Sequence, residues 1–529
     1  MLTSLAMVTS FSAPTKNASL PHLIFAMIDD WGWYDVGFRN PLIKTPVIDS
    51  LVQKEAALLT RHYTYKFCSP TRRSFLSGRV PPHSGQDNSA GATIDLRMST
   101  IADKMVSAGY VTGQAGKWHA GHTIVKQLPH GRGFHSSLGY LNGACDHYTQ
   151  VDGEDGCQPS GEYEEQPSID WSTLDDTPVD LQKKGSSTDL WNTDAPGYGL
   201  NGTFGDFMYV GRAVETIMAH NASKPLFFYL AMQCAHEPME SPARFQALYD
   251  KASCPDVVEY SFSSVIDEGL GNVTSALRIR GMWATTLMVV ASDNGGPAFS
   301  DQHAASNYPL RGGKYTYFEG GVRTIAFVTG GVLPAAKRGT NVTSPIHVSD
   351  WYATFCGLAG VDPSDDHHGV PSIDSVDQWP LLSGSAAEDD VDAVAAPHMS
   401  PLGREIFVGS GVLMQGRYKL VKGVSPGTAK WSGPLYPKVP ADGPAKLACS
   451  DDAPCLWDVV DDPSERVELR AAHPENQTIA SIVADMSSRL AVLMEGVFEG
   501  KQPDVPKGAV CAATAKNGGY LTPSDWVKP

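Results

Sequence analysis

No apolar run in the 529-residue chain approaches the roughly 18 residues needed to cross a bilayer, so no membrane span is expected. Basic residues are scarce: 41 Lys and Arg stand against 58 Asp and Glu, a formal charge of −17. Such a chain has no field for non-specific capture of nucleic acid or an anionic membrane. An anionic substrate would need a local positive field built against the global one. There is no internal repeat and no long low-complexity segment. Cysteine is sparse and odd in number: nine, at Cys68, Cys145, Cys157, Cys234, Cys254, Cys356, Cys449, Cys455 and Cys511. An odd count leaves at least one unpaired or specially used.

Hydrophobic residues make up 42% and charged residues 19%, the balance of an ordinary globular protein. The length exceeds one usual domain, so two domains around separate cores are expected. Six Asn-x-Ser/Thr sequons occur, at Asn17, Asn201, Asn221, Asn272, Asn341 and Asn476. Cys145/Cys157 and Cys449/Cys455 are close pairs in polar, Gly/Pro/Asp-rich segments of the kind that carry loop disulfides. Sequons and paired cysteines together favour the secretory pathway, lysosomal or extracellular. The start, MLTSLAMVTSFSAPTK, has a weakly apolar stretch with small residues at Ser10 and Ser12 but no basic n-region. Residues 1–20 read as a short signal peptide or a disordered start.

Between about residues 20 and 350, short apolar runs alternate with helical patterns. HLIFAMI (22–28), YVTGQA (110–115), PLFFYLAM (225–232) and TLMVVAS (286–292) read as strands. TPVIDSLVQKEAALLTRHY reads as one helix, with Thr45 as N-cap and Pro46 at the first position. STIADKMVSAG reads as another, closed by Gly109. Strands alternating with helices predict an α/β domain with a mostly parallel sheet. The Ala/Asp/Ser-rich stretch 384–402 reads as a linker. Beyond it, REIFVGSGVLMQGRYKLVKG reads as strand, turn, strand, and TIASIVADMSSRLAVLMEGVF as an amphipathic helix. The expected division is a start at 1–20, a catalytic domain at 21–395 and a smaller C-terminal α+β domain at 396–529.

Each predicted strand is followed by residues that carry chemistry. After HLIFAMI come Asp29 and Asp30; after TLMVVAS, Asp293, Asn294, Gly295 and Gly296; after YVTGQA, Gly116, Lys117, Trp118 and His119; after PLFFYLAM, QCAHEP with His236. Ligands of open α/β sheets bind beyond the carboxyl ends of strands, so four such ends point at one crevice. Asp29, Asp30, Asp293 and Asn294 offer only oxygen, which suits Ca²⁺ or Mg²⁺; zinc would want His or Cys. One Asp pair alone is commonly a helix cap or turn; two pairs in the same position argue against that.

CSPTRRSFLSGR, residues 68–79, reads as one short helix, with Pro70 in its first turn and Gly78 at its end. Cys68 then stands at the helix N-terminus, where partial positive charge favours an anion or oxyanion. Arg72 lies four residues on, on the same face. Nucleophile, half of a disulfide and core cysteine remain open at this point. Trp31, Trp33, Trp118 and Tyr317 read as core rather than as a sugar platform, and His303 as part of a solvated loop.

CSPTRRSFLSGR resembles the signature of the type I, formylglycine-dependent sulfatases, in which Cys-x-Pro-Ser-Arg is followed by a Leu-Thr-Gly-Arg element. DDWGWYDVGF, GKWHAGH, QCAHEP, DNGG and PLRGGKYTYFEGGVR fall in that family's order and spacing. The likeness covers most of residues 20–360 and continues weakly at LWDVVDDPSERVEL, 456–469. Within the family, RGFHSSLGY and GNVTSALRIRGMW look most like the arylsulfatase B (N-acetylgalactosamine-4-sulfatase) branch.

The resemblance implies an alkaline-phosphatase-like fold and hydrolysis of sulfate esters, of sulfated sugars or aryl sulfates. It implies that a formylglycine-generating enzyme oxidises Cys68 to Cα-formylglycine, which accounts for the odd cysteine. The aldehyde hydrates to a geminal diol, and one hydroxyl attacks sulfur as the alcohol leaves. Loss of the second hydroxyl's proton then expels sulfate and reforms the aldehyde. A cation, Ca²⁺ rather than Mg²⁺, would lie on Asp29, Asp30, Asp293, Asn294 and the diol derived from Cys68. Arg72 would orient the diol and His119 act as base. Lys117, His236 and Lys314 would bind sulfate, with His236 or Lys314 protonating the leaving oxygen.

The chain departs from the signature at Thr71 and Ser77, both of which keep a hydroxyl. Residues 80–100 carry no cysteine, so Cys511 is expected to lack its family partner. Residues 140–205 and most of the C-terminal region match poorly, and the sugar is not legible. Two other readings stand beside this one: a phosphatase or phosphonate monoester hydrolase of the same fold, and an inactive homologue that binds sulfated glycans. CSPTR with oxygen-only ligands weighs against the first, and the filled catalytic positions against the second.

Overall fold

The structure is a computed structural model that describes residues 20–528 except 90, 153–156, 158–186, 252–253, 255, 299–304, 367–368, 387–398, 401–402, 428–430 and 432–446. The start, His303 and most of the expected linker lie outside the described residues.

The central sheet has ten strands: β1 His22–Ile28, β2 Ala57–Leu59, β3 Val111–Gly116, β4 Ser136–Gly139, β5 Trp191–Asn192, β6 Ala195–Pro196, β7 Leu226–Met232, β8 Thr286–Ser292, β9 Ala326–Thr329 and β10 Thr340–Val342. Their order is β10-β2-β9-β8-β1-β7-β3-β4-β5-β6. The five strands β8, β1, β7, β3 and β4 run parallel, with Leu23 of β1 opposite Phe227 and Leu287. β9 and β5 pair antiparallel at the flanks, so the sheet is mixed but mostly parallel at its centre.

β1 is buried along its whole length and its alternate residues enter two cores. Leu23, Phe25 and Met27 join one; Ile24, Ala26 and Ile28 join the other. That period of two, apolar on both sides, requires helices on both faces of the sheet. The helices of the large sheet are α1 Pro46–Lys54, α2 Cys68–Ser77, α3 Ile101–Ser107, α4 Gly205–Ala219, α5 Val257–Ile279 and α6 Asp350–Ala359. α2, α3 and α6 cover the first core; α1, α4 and α5 cover the second. Trp31 and Trp118 are fully buried, and Trp33 and Tyr317 lie in the core with them.

Two expectations about elements are corrected. The helix from Pro46 stops at Lys54; Ala57–Leu59 instead forms β2, because Ala57 and Leu59 are needed to extend the first core. The C-terminal strand–turn–strand is a three-stranded meander. A second small sheet comprises β11 Met399–Ser400, β12 Gly403–Gly409, β13 Val412–Gln415, β14 Tyr418–Val421 and β15 Cys455–Asp458, antiparallel in chain order. Gly416, at φ +55, makes the extra turn between β13 and β14. α7 Gln477–Met494 covers one face of this sheet through Met486 and Leu490. The other face packs on Tyr63, Tyr65, Phe67 and Phe318, beside the approach to Cys68.

The cysteine pairing is also corrected. Cys449 and Cys455 are bonded as expected, but Cys157 pairs with Cys511 and leaves Cys145 buried without a disulfide. Cys511 therefore has a partner. It lies on α8 Ala509–Lys516, from which the chain runs back to Ser187–Thr188, a short strand that pairs with Val151–Asp152 outside the ten-stranded sheet. There the amide of Thr188 donates to Gly519 O at 2.7 Å and that of Leu521 to Thr188 O at 2.9 Å.

Candidate active site

β8, β1, β7 and β3 are consecutive neighbours, so their carboxyl ends meet at one edge. Backbone bonds continue past those ends. Asp293 N donates to Ile28 O at 3.0 Å, Ala235 N to Asp29 O at 2.6 Å and Lys117 N to Ala231 O at 2.9 Å. The side chains of four loops are thereby set side by side by sheet geometry. At Gly116, φ +96, a Cβ would stand 1.7 Å from Ala231 O, so only glycine lets Lys117 approach β7 this closely.

α2 is aimed at the same edge. All ten of its residues are buried, and Gly78 ends it in the left-handed region against the Tyr352 ring. At its first turn Ser69 N donates to Asn88 Oδ1 at 2.9 Å. Thr71 Oγ1 accepts from Tyr65 N at 3.0 Å and donates to Phe67 O at 3.2 Å, so the departure from the signature serine keeps a working hydroxyl.

Three carboxylates and three cations converge there. Lys117 Nζ is 2.7 Å from Asp29 Oδ2, and Lys314 Nζ is 2.7 Å from Asp30 Oδ2. Arg72 donates to Asp293 Oδ2 from Nη2 at 2.7 Å and from Nε at 3.1 Å, with Asp29 Oδ1 at 3.6 Å. Asn294 Nδ2 donates to Asp30 Oδ1 at 2.6 Å, and His236 Nε2 stands 3.6 Å from Asp30 Oδ2. Ligand atoms of Asp29, Asp30, Cys68 and His236 lie within 4.8 Å of one another. Asp30, His119 and Tyr315, the last adjoining Lys314, hold positive φ angles of 59°, 47° and 73°. Backbone strain of this kind costs on the order of 1–3 kcal/mol per residue and gathers at functional sites.

The fields are strong. Burial alone would lower Arg72, Lys117 and Lys314; the facing carboxylates, led by Asp293, Asp29 and Asp30 respectively, reverse this and hold all three above their ordinary values. Burial works to raise Asp30 but Lys314, His236 and Lys117 hold it low, whereas burial and Asp29 lift Asp293 to about 6. Burial, with Lys117 and Arg72, pushes His119 well below its ordinary value; burial and Lys314 push His236 down to about 3. Burial also lifts the Cys68 thiol to about 12 against Lys117 and Lys314. The helix N-terminus therefore does not make this buried thiol a ready thiolate.

What remains unpartnered is informative. Asp29 Oδ1, Asn294 Oδ1 and both ring nitrogens of His119 are buried without a hydrogen bond. Buried polar atoms are normally paired, and each exception calls for an occupant or a role. Two orphan oxygens beside the carboxylates of Asp30 and Asp293 fit a hard divalent cation.

All ten residues singled out in the sequence lie in or against this crevice. Sequence reasoning missed Tyr140, whose hydroxyl is 3.4 Å from Asp29 Oδ2, and Asn88, which holds the first turn of α2. Tyr140 sat in the quoted block RGFHSSLGY, but nothing in its spacing marked it; Asn88 sat in a stretch without a pattern.

Comparison with known proteins agrees with the geometry. The sulfatase family model matches residues 21–361. Mouse arylsulfatase J is 30% identical over 486 residues, covering 87% of this chain and 75% of the relative. Pig N-acetylgalactosamine-6-sulfatase is 26% identical over 393 residues, covering 70% and 67%. The crystal structure of Ps i-CgsB in complex with k-i-k-neocarrahexaose superposes with TM-score 0.68 at 20% identity, over 94% of this chain and 98% of that one, a likeness of fold. With the family model spanning the whole crevice, the chain belongs to the sulfatase family, sulfuric ester hydrolases on the alkaline-phosphatase-like fold.

Proposed function

We propose that this sulfatase hydrolyses sulfate esters of sugars or aryl alcohols in the crevice around Cys68, with the work divided among the residues that converge there. The carrying observation is the set of buried, unpartnered acceptors, Asp29 Oδ1, Asn294 Oδ1 and the His119 ring, facing three paired carboxylates and three cations. Asp29, Asp30, Asp293 and Asn294 would hold a divalent cation, Ca²⁺ by their oxygen-only chemistry, which when bound supplies Lewis-acid stabilisation of charge on the sulfate. Oxidised to formylglycine by its generating enzyme, Cys68 supplies a hydroxyl nucleophile toward sulfur in place of a thiol that burial keeps protonated.

The chain's own residues do the rest. Arg72 pins Asp293, balances the charge of the carboxylates and would orient the diol. Lys117 and Lys314 present ammonium groups that hold the sulfate oxygens once the ester enters. His119 accepts the proton of the remaining hydroxyl. His236 or Lys314, which both face Asp30, would give the leaving oxygen its proton. Binding of a sulfate anion is a charge problem solved locally, against a chain of −17.

Among the described residues no helix is long and apolar enough to cross a membrane. Two disulfides and five sequon asparagines that all lie on the surface, Asn201, Asn221, Asn272, Asn341 and Asn476, support passage through the secretory pathway to a lysosomal or extracellular place of work. We also propose the division at 21–395 and 396–529, supported by the separate sheets and by the core that β12–β15 form with α7, which Val80 of the large domain joins. The test is release of inorganic sulfate from an aryl sulfate and from sulfated N-acetylgalactosamine by the purified protein. Hydrolysis that ceases on chelation and returns with Ca²⁺ is expected; hydrolysis of phosphate or phosphonate monoesters in preference to sulfates would reverse the reading.

A further inference from the structure

α4 and α5 lie against each other on the outer side of the second core, and a groove of 580 Å³ opens between them. That is the size of a small-ligand pocket, about 300–1,000 Å³. Its walls are mostly apolar, with Phe207, Val214 and Met218 from α4 and Val265 and Ile279 from α5. Met218 is 42% and Ile279 73% exposed, so apolar surface meets water here. Contiguous surface of this kind normally has a cover. Asn272 lines the same groove, is exposed, and opens the sequon Asn272-Val273-Thr274.

We propose that Asn272 is N-glycosylated and that the first sugars of its glycan lie in the groove between α4 and α5 as its cover. Pyranose rings offer C–H faces to the apolar walls and hydroxyl edges to the polar rim. The rim provides Ser275 and the exposed ion pair Arg244–Glu268 at 2.6 Å. A tethered ligand needs little intrinsic affinity, because the link at Asn272 sets a high effective concentration.

Transfer needs a lipid-linked oligosaccharide diphosphate as donor. The bond between the anomeric carbon and the diphosphate oxygen breaks, and the lipid diphosphate leaves with the electron pair. A bond forms from that carbon to Asn272 Nδ2, which loses a proton to a base of the transferase. In the folded chain Thr274 is buried and its hydroxyl donates to Gly271 O at 3.0 Å within α5. The sequon is thus accessible only on the nascent chain, before α5 forms. The inference is independent of the sulfate-ester reading.

The full chain, expressed in a glycosylating eukaryotic host, is mapped by glycopeptide mass spectrometry. The folded protein is then treated with an amidase that removes the glycan in heavy-oxygen water, marking Asn272 as heavy aspartate. Expected are glycan at Asn272 and, on its removal, a rise of about twofold or more in fluorescence of an apolar-surface dye, with faster hydrogen exchange in α4 and α5. Using folded protein avoids the failure of Asn272→Gln to fold. Asn272 unmodified while other exposed sequons carry sugar overturns the proposal. So does glycan removal that changes neither dye binding nor exchange. A concentration-dependent dimer of the glycosylated protein sealed through this groove overturns it too, since a second copy would then be the cover.

Discussion

Two buried charge clusters in this molecule look alike at first and behave differently. At the junction of the small sheet with the large one, Lys419 faces Glu319 at 3.0 Å and Glu465 at 2.6 Å, all three fully buried. Each carboxylate oxygen there faces a donor or a cation: Glu319 Oε2 accepts from the Tyr63 hydroxyl at 2.9 Å, Glu319 Oε1 from Lys419 Nζ at 3.0 Å and Glu465 Oε2 from the Glu319 amide at 2.6 Å, while Glu465 Oε1, without an aligned hydrogen bond, lies 2.6 Å from the Lys419 ammonium. The crevice around Cys68 is as buried and as densely paired, yet it leaves Asp29 Oδ1, Asn294 Oδ1 and the whole His119 imidazole without partners. Burial and ion pairing are common to both. Unspent acceptor capacity is what separates a site from a clamp.

The largest expected effect sharpens that contrast at the crevice. Cys68→Ala should lower kcat by about 10⁴ or more with the fold intact by circular dichroism, since removing a nucleophile leaves only binding and charge stabilisation. Next comes Asp30→Asn. A divalent cation at about 100 times its Kd stabilises a protein that binds it only when folded by about 2.7 kcal/mol. Calorimetry should show that increment in the native chain and most of it missing in Asp30→Asn. His119→Ala, which removes the proposed base, should reduce kcat by about 10²–10⁴ with a small change in KM.

The smallest effect on activity should come from the other cluster. Burial lifts Glu465 to about 7, while Lys419 outweighs burial at Glu319 and holds it low, so one carboxyl is protonated and its neighbour ionised. The folded chain then keeps a proton on Glu465 that the unfolded chain releases. Stability should fall as pH rises from the ordinary glutamate range toward about 7 and level off above it. Glu465→Gln should flatten that part of the Tm–pH curve and leave kcat within about twofold. A Glu465→Gln variant as inactive as Cys68→Ala would erase the distinction between the clusters.

Much of the crevice was legible because its residues follow strand ends. HLIFAMI, PLFFYLAM and TLMVVAS are apolar on both faces, so only a central parallel strand accommodates them, and the polar residues after them had one place to go. The Cys68 helix was legible from Pro70 and Gly78. The over-long helix from Pro46 failed because Ala57, Leu58 and Leu59 satisfy a helical period and a short strand equally, and only the neighbouring β9 and β10 decide. The Cys157–Cys511 bond spans 354 residues, and no local composition could reveal it. Asn88 and Tyr140 act through contacts set by the fold, which leave no spacing to read.

The most direct measurement is the mass of the peptide containing Cys68 in protein made by a host that matures other sulfatases. The expected species has one sulfur and two hydrogens replaced by one oxygen, the signature of formylglycine, in proportion to the sulfate-releasing activity. Intact cysteine throughout, in protein that nevertheless hydrolyses sulfate esters, would contradict the account of Cys68.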